Sequence, residues 1–383
     1  MRFLFTAVPL AGHFLPLAPL AWALRSAGHE VLVATPDNFV PSVLRSGLPA
    51  TSCGPRAEFT ALIRREDLSR TPAGLVPQRY LHGRAFGRIA GGSLAGVAAL
   101  TDSWQPDLLV CERAEFAGPL VAAARNLPWV QYHWSVARLP EYRYAAEEEL
   151  GAAMAAWGVR DLPPPAAVLD PWPVGLRHRH AAGHEEIRHV PSHGDAQVPG
   201  WVFETRRRPR ICLTFGTVLP QYGDGGLLGL MRTLTQALAE TGAELLLAVD
   251  DALAARWTAP HAAVRHIGRL PLSDTFPTCD VVVHHGGQGT SLTALTAGRP
   301  QLVLPELDDQ FDNARALEAA GAAIALPMSA AAADTVVKEC LRLLEDDRYA
   351  RAAARLAGMS ARMPTPSALV ARLEALALAG AGS

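Results

Sequence analysis

The segment Val281-Val282-Val283-His284-His285-Gly286-Gly287-Gln288-Gly289-Thr290 constrains this chain more than any other. A β-branched run bounded by small residues reads as a buried parallel strand, and the turn after it leads at once into a helix beginning near Thr290. Gly286, Gly287 and Gly289 carry no Cβ to block approach. Backbone N–H groups and the positive helix end can therefore converge on a phosphate, with His285 and the Thr290 hydroxyl as further donors. A diphosphate suits such a turn; a tight strand-to-helix connection whose glycines serve sterics alone is the plain alternative.

The next stretch favours the phosphate reading. Ala297-Gly298-Arg299-Pro300 leads into a second buried strand, Gln301-Leu302-Val303-Leu304-Pro305, and then into Glu306-Leu307-Asp308-Asp309-Gln310-Phe311-Asp312-Asn313. Carboxylates and amides thus arrive at the carboxyl-end rim where open α/β sheets bind ligands.

Taken together, His-His-Gly-Gly-x-Gly-Thr, Gly-x-Pro-Gln-Leu-Val-Leu-Pro and Asp-Gln-Phe-Asp-Asn-Ala resemble the donor-binding signature of GT-B glycosyltransferases. The likeness is to the actinobacterial enzymes that decorate macrolides, enediynes and aromatic polyketides, and it extends over nearly the whole chain. It implies an α/β fold of two Rossmann-like domains facing across a cleft. The expected boundaries are an acceptor-binding domain over 1–195, a linker over 196–210, a nucleotide-sugar domain over 211–364, and a last helix within 365–383 that packs back on the first domain.

The N-terminal half has its own βαβ pattern. Residues 2–8 predict a strand, 9–13 a loop, then a helix through Leu24 stopped by Gly28, then the strand Val31-Leu32-Val33-Ala34. It lacks G-x-G-x-x-G, which argues against a dinucleotide cofactor. His13 falls at the strand's carboxyl end, where a neutral imidazole can serve as a base near pH 7; a helix-capping or exposed loop histidine is the other reading. The resemblance makes His13 the base that takes a proton from the acceptor hydroxyl. Glu112 ends the buried strand 106–111, where the family usually carries an aspartate that orients the histidine. The extra methylene displaces the carboxylate by ~1.5 Å. Trp134, the last residue of the expected strand 128–134, offers a flat apolar wall to an aglycone, with core packing as the alternative.

In the second half, Ile211 to Thr217 predicts a strand and a small-residue loop, and the resemblance places Thr217 against the donor diphosphate with His285, Gly287, Gly289 and Thr290. The loop at Arg269 and Leu270 would clasp the nucleobase, with a guanidinium where the family commonly has tryptophan. Thr293 aligns with the glutamate that plant-type enzymes use on both ribose hydroxyls. Its absence costs less with a 2′-deoxyribose, which favours dTDP over UDP. Asp309 and Gln310 would hold hydroxyls of the donor sugar.

With 35 Lys+Arg against 37 Asp+Glu, the chain gives no reason to expect nucleic acid or an anionic membrane as partner. The expected partners are a nucleotide sugar and a small aglycone, and a homodimer stays open. Five scattered cysteines read as buried hydrophobes of a reducing cytoplasm. The first residues make no signal peptide, and no apolar run reaches the ~20 residues of a membrane span. His178, His180, His184, His189 and His193 invite a metal, but His184-Glu185-Glu186-Ile187-Arg188-His189 has one residue too many for H-E-x-x-H. No metal and no cofactor are expected, dTDP-sugar being a co-substrate. The reaction implied is an inverting, metal-independent transfer of a deoxysugar to an apolar natural product, as in antibiotic biosynthesis. A sugar-nucleotide epimerase of the same architecture and a non-catalytic nucleotide-sugar-binding helper are the alternatives.

Overall fold

A computed structural model describes residues 1–64, 74–192, 194–217, 224–257 and 261–380. The apolar runs become two all-parallel sheets. The first holds β1 (Arg2–Thr6), β2 (Glu30–Pro36), β3 (Ala50–Gly54), β4 (Leu108–Glu112), β5 (Trp129–Tyr132), β6 (Ala167–Asp170) and β7 (Glu185–Glu186) in the order 3-2-1-4-5-6-7. The second holds β8 (Arg210–Thr214), β9 (Glu244–Ala248), β10 (Val264–Gly268), β11 (Val281–His284), β12 (Gln301–Val303) and β13 (Ala323–Ala325) in the order 10-9-8-11-12-13. These are two Rossmann-like domains in the GT-B arrangement.

Strand order decides where the sites lie. In the first sheet the winding reverses between β1 and β4, which pair with Thr6 opposite Cys111. In the second it reverses between β8 and β11, with Thr214 opposite His284. At such a reversal the connections leaving neighbouring strands diverge to opposite faces, so a crevice opens at the carboxyl ends. His13 and Glu112 sit at the first crevice, Gly216 and His285 at the second.

The two domains share an apolar seam. Val136, Trp172 and Leu176 of the first pack with Leu292, Val303, Leu317 and Leu356 of the second. Near the C-terminus, Leu369, Leu373 and Ala377 join the cluster of Phe3, Phe5 and Leu20, so the last helix, Val370–Gly380, lies on the first domain. His29 meets Glu374 at 2.8 Å across that contact. All five cysteines are free and buried. Among the described residues no helix is long and apolar enough to cross a membrane.

Three local expectations change. β1 stops at Thr6, because the chain must turn before Pro9, and His13 lies in a one-turn helix, Ala11–Phe14, rather than in a loop. Arg210 belongs to β8 and not to a solvated linker. Its guanidinium is buried, bonds Glu244 at 2.6 Å and Thr278 at 2.7 Å, and covers the Trp201 ring.

Candidate active site in the interdomain cleft

On the first domain, Glu112 is buried at the end of β4, and its Oε2 gathers three donors. His13 Nδ1 lies at 3.0 Å, the Ala114 N–H at 2.8 Å and the Trp134 indole N–H at 2.8 Å. Burial alone would raise its pKa. The His13 charge and the three hydrogen bonds outweigh it and hold the carboxyl below the ordinary range, so it is ionised. The longer side chain therefore reaches its histidine. With Nδ1 against the carboxylate, Nε2 of His13 is the atom left to take a proton. Trp134 and Phe86 flank the imidazole at ring separations of 4.7 and 5.5 Å.

Trp134 thereby changes role. Only 7% exposed, with its N–H on Glu112 and its ring packed with His13 at an interplanar angle of 66°, it steadies the dyad rather than presenting an open wall. Sequence reasoning missed the adjacent Glu115. It is buried, accepts from the Thr6 hydroxyl at 2.6 Å and from the Ala117 and Gly118 amides, and burial pushes it up to about 7 against those bonds.

On the second domain, Gly286 takes φ +91°, and Gly287 is the N-cap of the helix Gln288–Thr296. No side chain caps that helix, so its first-turn N–H groups are not taken up by a capping side chain. The space in front of Gly289 is open and Thr290 is buried in the same turn. The two histidines divide the work. His284 is structural: its Nε2 meets Gln301 Oε1 at 2.8 Å while its Nδ1 accepts the Gly286 N–H at 3.0 Å. The His285 ring lies over two glycines. A Cβ on Gly216 would come within 2.6 Å of it, and one on Gly287 within 2.3 Å. Burial, then the His284 charge, pushes His285 down to about 3, so it offers a neutral N–H donor. Thr217 is exposed at the rim beside Gly216, whose φ is +67°.

Asp309 receives the Asn313 amide at 3.0 Å. Its carboxyl is pushed up to about 6 by burial and by Asp308, while Ser135, Asn313 and the His13 charge draw it down. Asn313 Oδ1 also accepts the Ser135 hydroxyl of the first domain at 2.9 Å, so Asp309 lies where the two domains meet. Gln310 spends its amide oxygen on the N–H groups of Glu306 and Leu307, each at 3.0 Å, which leaves its NH₂ for a ligand.

The nucleoside residues need correction. Leu270 is buried in a cluster with Cys212, Phe276 and Val282, so only its backbone can meet a base. Thr293 is 1% exposed, donates to Gly289 O at 2.6 Å and meets His189 at 3.4 Å, so its hydroxyl is committed internally. Arg269 is exposed and pairs with Asp195 at 2.8 Å, which puts it where the two domains approach each other.

His193 lies outside the described residues. Of the other histidines, His184 bonds Asp170 at 2.9 Å, with the buried His133 3.7 Å from the same oxygen, and these three groups lie within metal-ligating reach of one another. The Arg177 guanidinium stands 3.6 Å from that oxygen, and Arg113 acts on His133 as well. Fixed cations already balance the carboxylate, so the cluster reads as an ion-pair network under the loop that carries Trp134.

Two parallel-sheet domains, each opening its crevice at a strand-order reversal, with a histidine–carboxylate dyad on one and a glycine-rich helix N-terminus on the other, define a GT-B glycosyltransferase. Models of the erythromycin biosynthesis protein CIII-like N-terminal and C-terminal domains match residues 22–216 and 232–376. The chain is 36% identical to an L-demethylnoviosyl transferase of Streptomyces niveus, covering 98% of each. It is 33% identical to the elloramycin glycosyltransferase ElmGT of Streptomyces olivaceus, covering 97% of each. The glycosyltransferase SsfS6 of Streptomyces sp. SF2575, solved with thymidine diphosphate, superimposes with a TM-score of 0.86 at 37% identity, over 98% of this chain and 99% of that one. The chain belongs to the erythromycin biosynthesis protein CIII-like family of natural-product glycosyltransferases.

Proposed function

We propose that this glycosyltransferase moves a deoxysugar from a dTDP-sugar to a hydroxyl of an apolar natural-product aglycone, with inversion at the anomeric carbon. The observation that carries the reading is the pairing of His13 with the buried, ionised Glu112 at the crevice of one domain while the other offers a glycine-rich helix N-terminus that no side chain caps. Glu112 holds His13 through Nδ1, and Nε2 takes the acceptor proton. The acceptor oxygen attacks the anomeric carbon from the face opposite the diphosphate. As negative charge gathers on the departing diphosphate, the first-turn N–H groups around Gly289, the Thr290 hydroxyl and the neutral His285 donor stabilise it, with no step routed through a metal. Asp309 and Gln310 bind sugar hydroxyls, the first as acceptor and the second as donor.

A thymidine nucleotide is supported by relatives solved with thymidine diphosphate, SsfS6 and the spinosyn rhamnosyltransferase SpnG. An apolar aglycone is supported by the latter's structure with the spinosyn aglycone and by the aromatic surroundings of His13. Calorimetric titration with dTDP, UDP and NAD in parallel tests the donor reading. Clear preference for dTDP with no NAD binding is expected, and screening of dTDP-deoxysugars against hydroxylated apolar acceptors follows. A preference for UDP would overturn the choice of nucleotide, and binding of neither nucleotide would overturn the donor-site assignment.

A further inference from the structure

The residue before the sugar-reading pair is engaged in a way that this mechanism does not use. Asp308 is 3% exposed and adopts φ +48°, a left-handed conformation that non-glycine residues seldom take. Every polar group it offers is met from the other domain. The helix Leu75–Trp104 supplies Arg79, whose Nε donates to Asp308 Oδ1 at 3.1 Å, and His82, whose Nδ1 lies 2.6 Å from Oδ2. Gln78 of that helix accepts the Asp308 N–H at 3.0 Å, and the Tyr142 hydroxyl donates to Oδ2. Arg79 also binds Asp312. Burial would push the Asp308 carboxyl up, but the bond and charge of His82, the Tyr142 hydroxyl and the Arg79 charge hold it down and ionised.

The same helix carries Phe86 against His13, and Tyr142 packs on Phe86 at 5.2 Å. One rigid element therefore touches the proton acceptor at one point and grips the backbone of the donor-sugar loop at another.

We propose that Asp308 is a positioning residue: clasped by Gln78, Arg79, His82 and Tyr142, it sets Asp309 and Gln310, and with them the donor sugar, at a fixed distance from His13. The inference rests on the proposed glycosyl transfer for its consequence, though not for its geometry. A loop held only by its own domain could bind the nucleotide equally well but would leave the sugar free to shift relative to the base, and misplacement of that kind is costly in rate. The left-handed backbone at Asp308 is held in place by these contacts, so the clasp and the shape of the loop are one device.

The test compares full-length wild type with Asp308→Ala, Asp308→Asn and Tyr142→Phe, the last removing one hydrogen bond and no charge. Affinities for dTDP and for dTDP-α-D-glucose are measured by calorimetry, and hydrogen exchange is followed in the peptides covering 75–84 and 304–313. In Asp308→Ala the expected results are dTDP affinity within about twofold of wild type, dTDP-glucose affinity at least tenfold weaker, and faster exchange in both peptides together. Tyr142→Phe should show the same pattern, smaller. Equal weakening for dTDP and dTDP-glucose would mean a merely structural role, and faster exchange in 304–313 alone would mean that no clasp joins the domains; either overturns the proposal. Failure of wild type to bind dTDP would instead remove the donor-site reading, while the exchange result would still decide the clasp.

Discussion

Shortening Glu112 to aspartate should slow catalysis, even though aspartate is the residue that the resemblance puts at this position. The carboxylate lies 3.0 Å from His13 Nδ1. Removing one methylene withdraws it by ~1.5 Å. With an effective dielectric of ~20, its attraction for the imidazolium formed in the transition state falls from about 5.5 to about 3.7 kcal/mol. That difference alone is roughly 20-fold in rate, and losing the shared contacts with Trp134 and the Ala114 amide takes the expected effect to about 10²-fold. Glu112→Gln keeps the length and removes the charge, and should cost about 10³–10⁴. The assay is single-turnover transfer with a donor and acceptor obtained by screening, with dTDP affinity as the control that stays constant. An aspartate variant as fast as wild type would refute the reasoning, because the reach of the glutamate would then count for nothing.

Three other outcomes follow from the same geometry. His13→Ala should lose ~10²–10⁴ in transfer rate while binding dTDP normally, and unchanged turnover would sink the base assignment. Gly216→Ala puts a methyl 2.6 Å from the His285 ring at a backbone φ of +67°, and should weaken dTDP binding by ~10-fold or more in calorimetry; wild-type affinity would show that His285 does not shape the phosphate turn. Glu115, raised from 4.5 to about 7, stabilises the fold most fully below its unfolded pKa, and that stability is lost as pH rises through about 7. Glu115→Gln does not titrate, so relative to wild type it should gain about 2.5 kcal/mol between pH 5 and pH 8. Denaturant unfolding at both values checks this, and an equal difference at the two pH values would count against it.

Much of the second domain was legible because its signals are local. The valine run, the glycines and the helix that follows sit within ten neighbouring positions, and β-branching, absent Cβ atoms and helix polarity act over that distance. His13 and Glu112 were legible as strand-end residues for the same reason. Side-chain direction was not. Leu270 and Thr293 turn inward because a core and a helix backbone compete for them, and Trp134 turns to Glu112 because a buried carboxylate needs donors.

By itself the sequence determined the two α/β domains, the glycine-rich strand-to-helix turn and the residue types at the crevice, since each follows from patterns a few residues long. Only the tertiary structure decided that Glu112 reaches His13 across 99 positions and that Asp308 is held by groups 166 to 230 positions away. A buried carboxylate must be met by donors wherever the fold brings them. Their identity is set by strand order and domain contact, which no local spacing records.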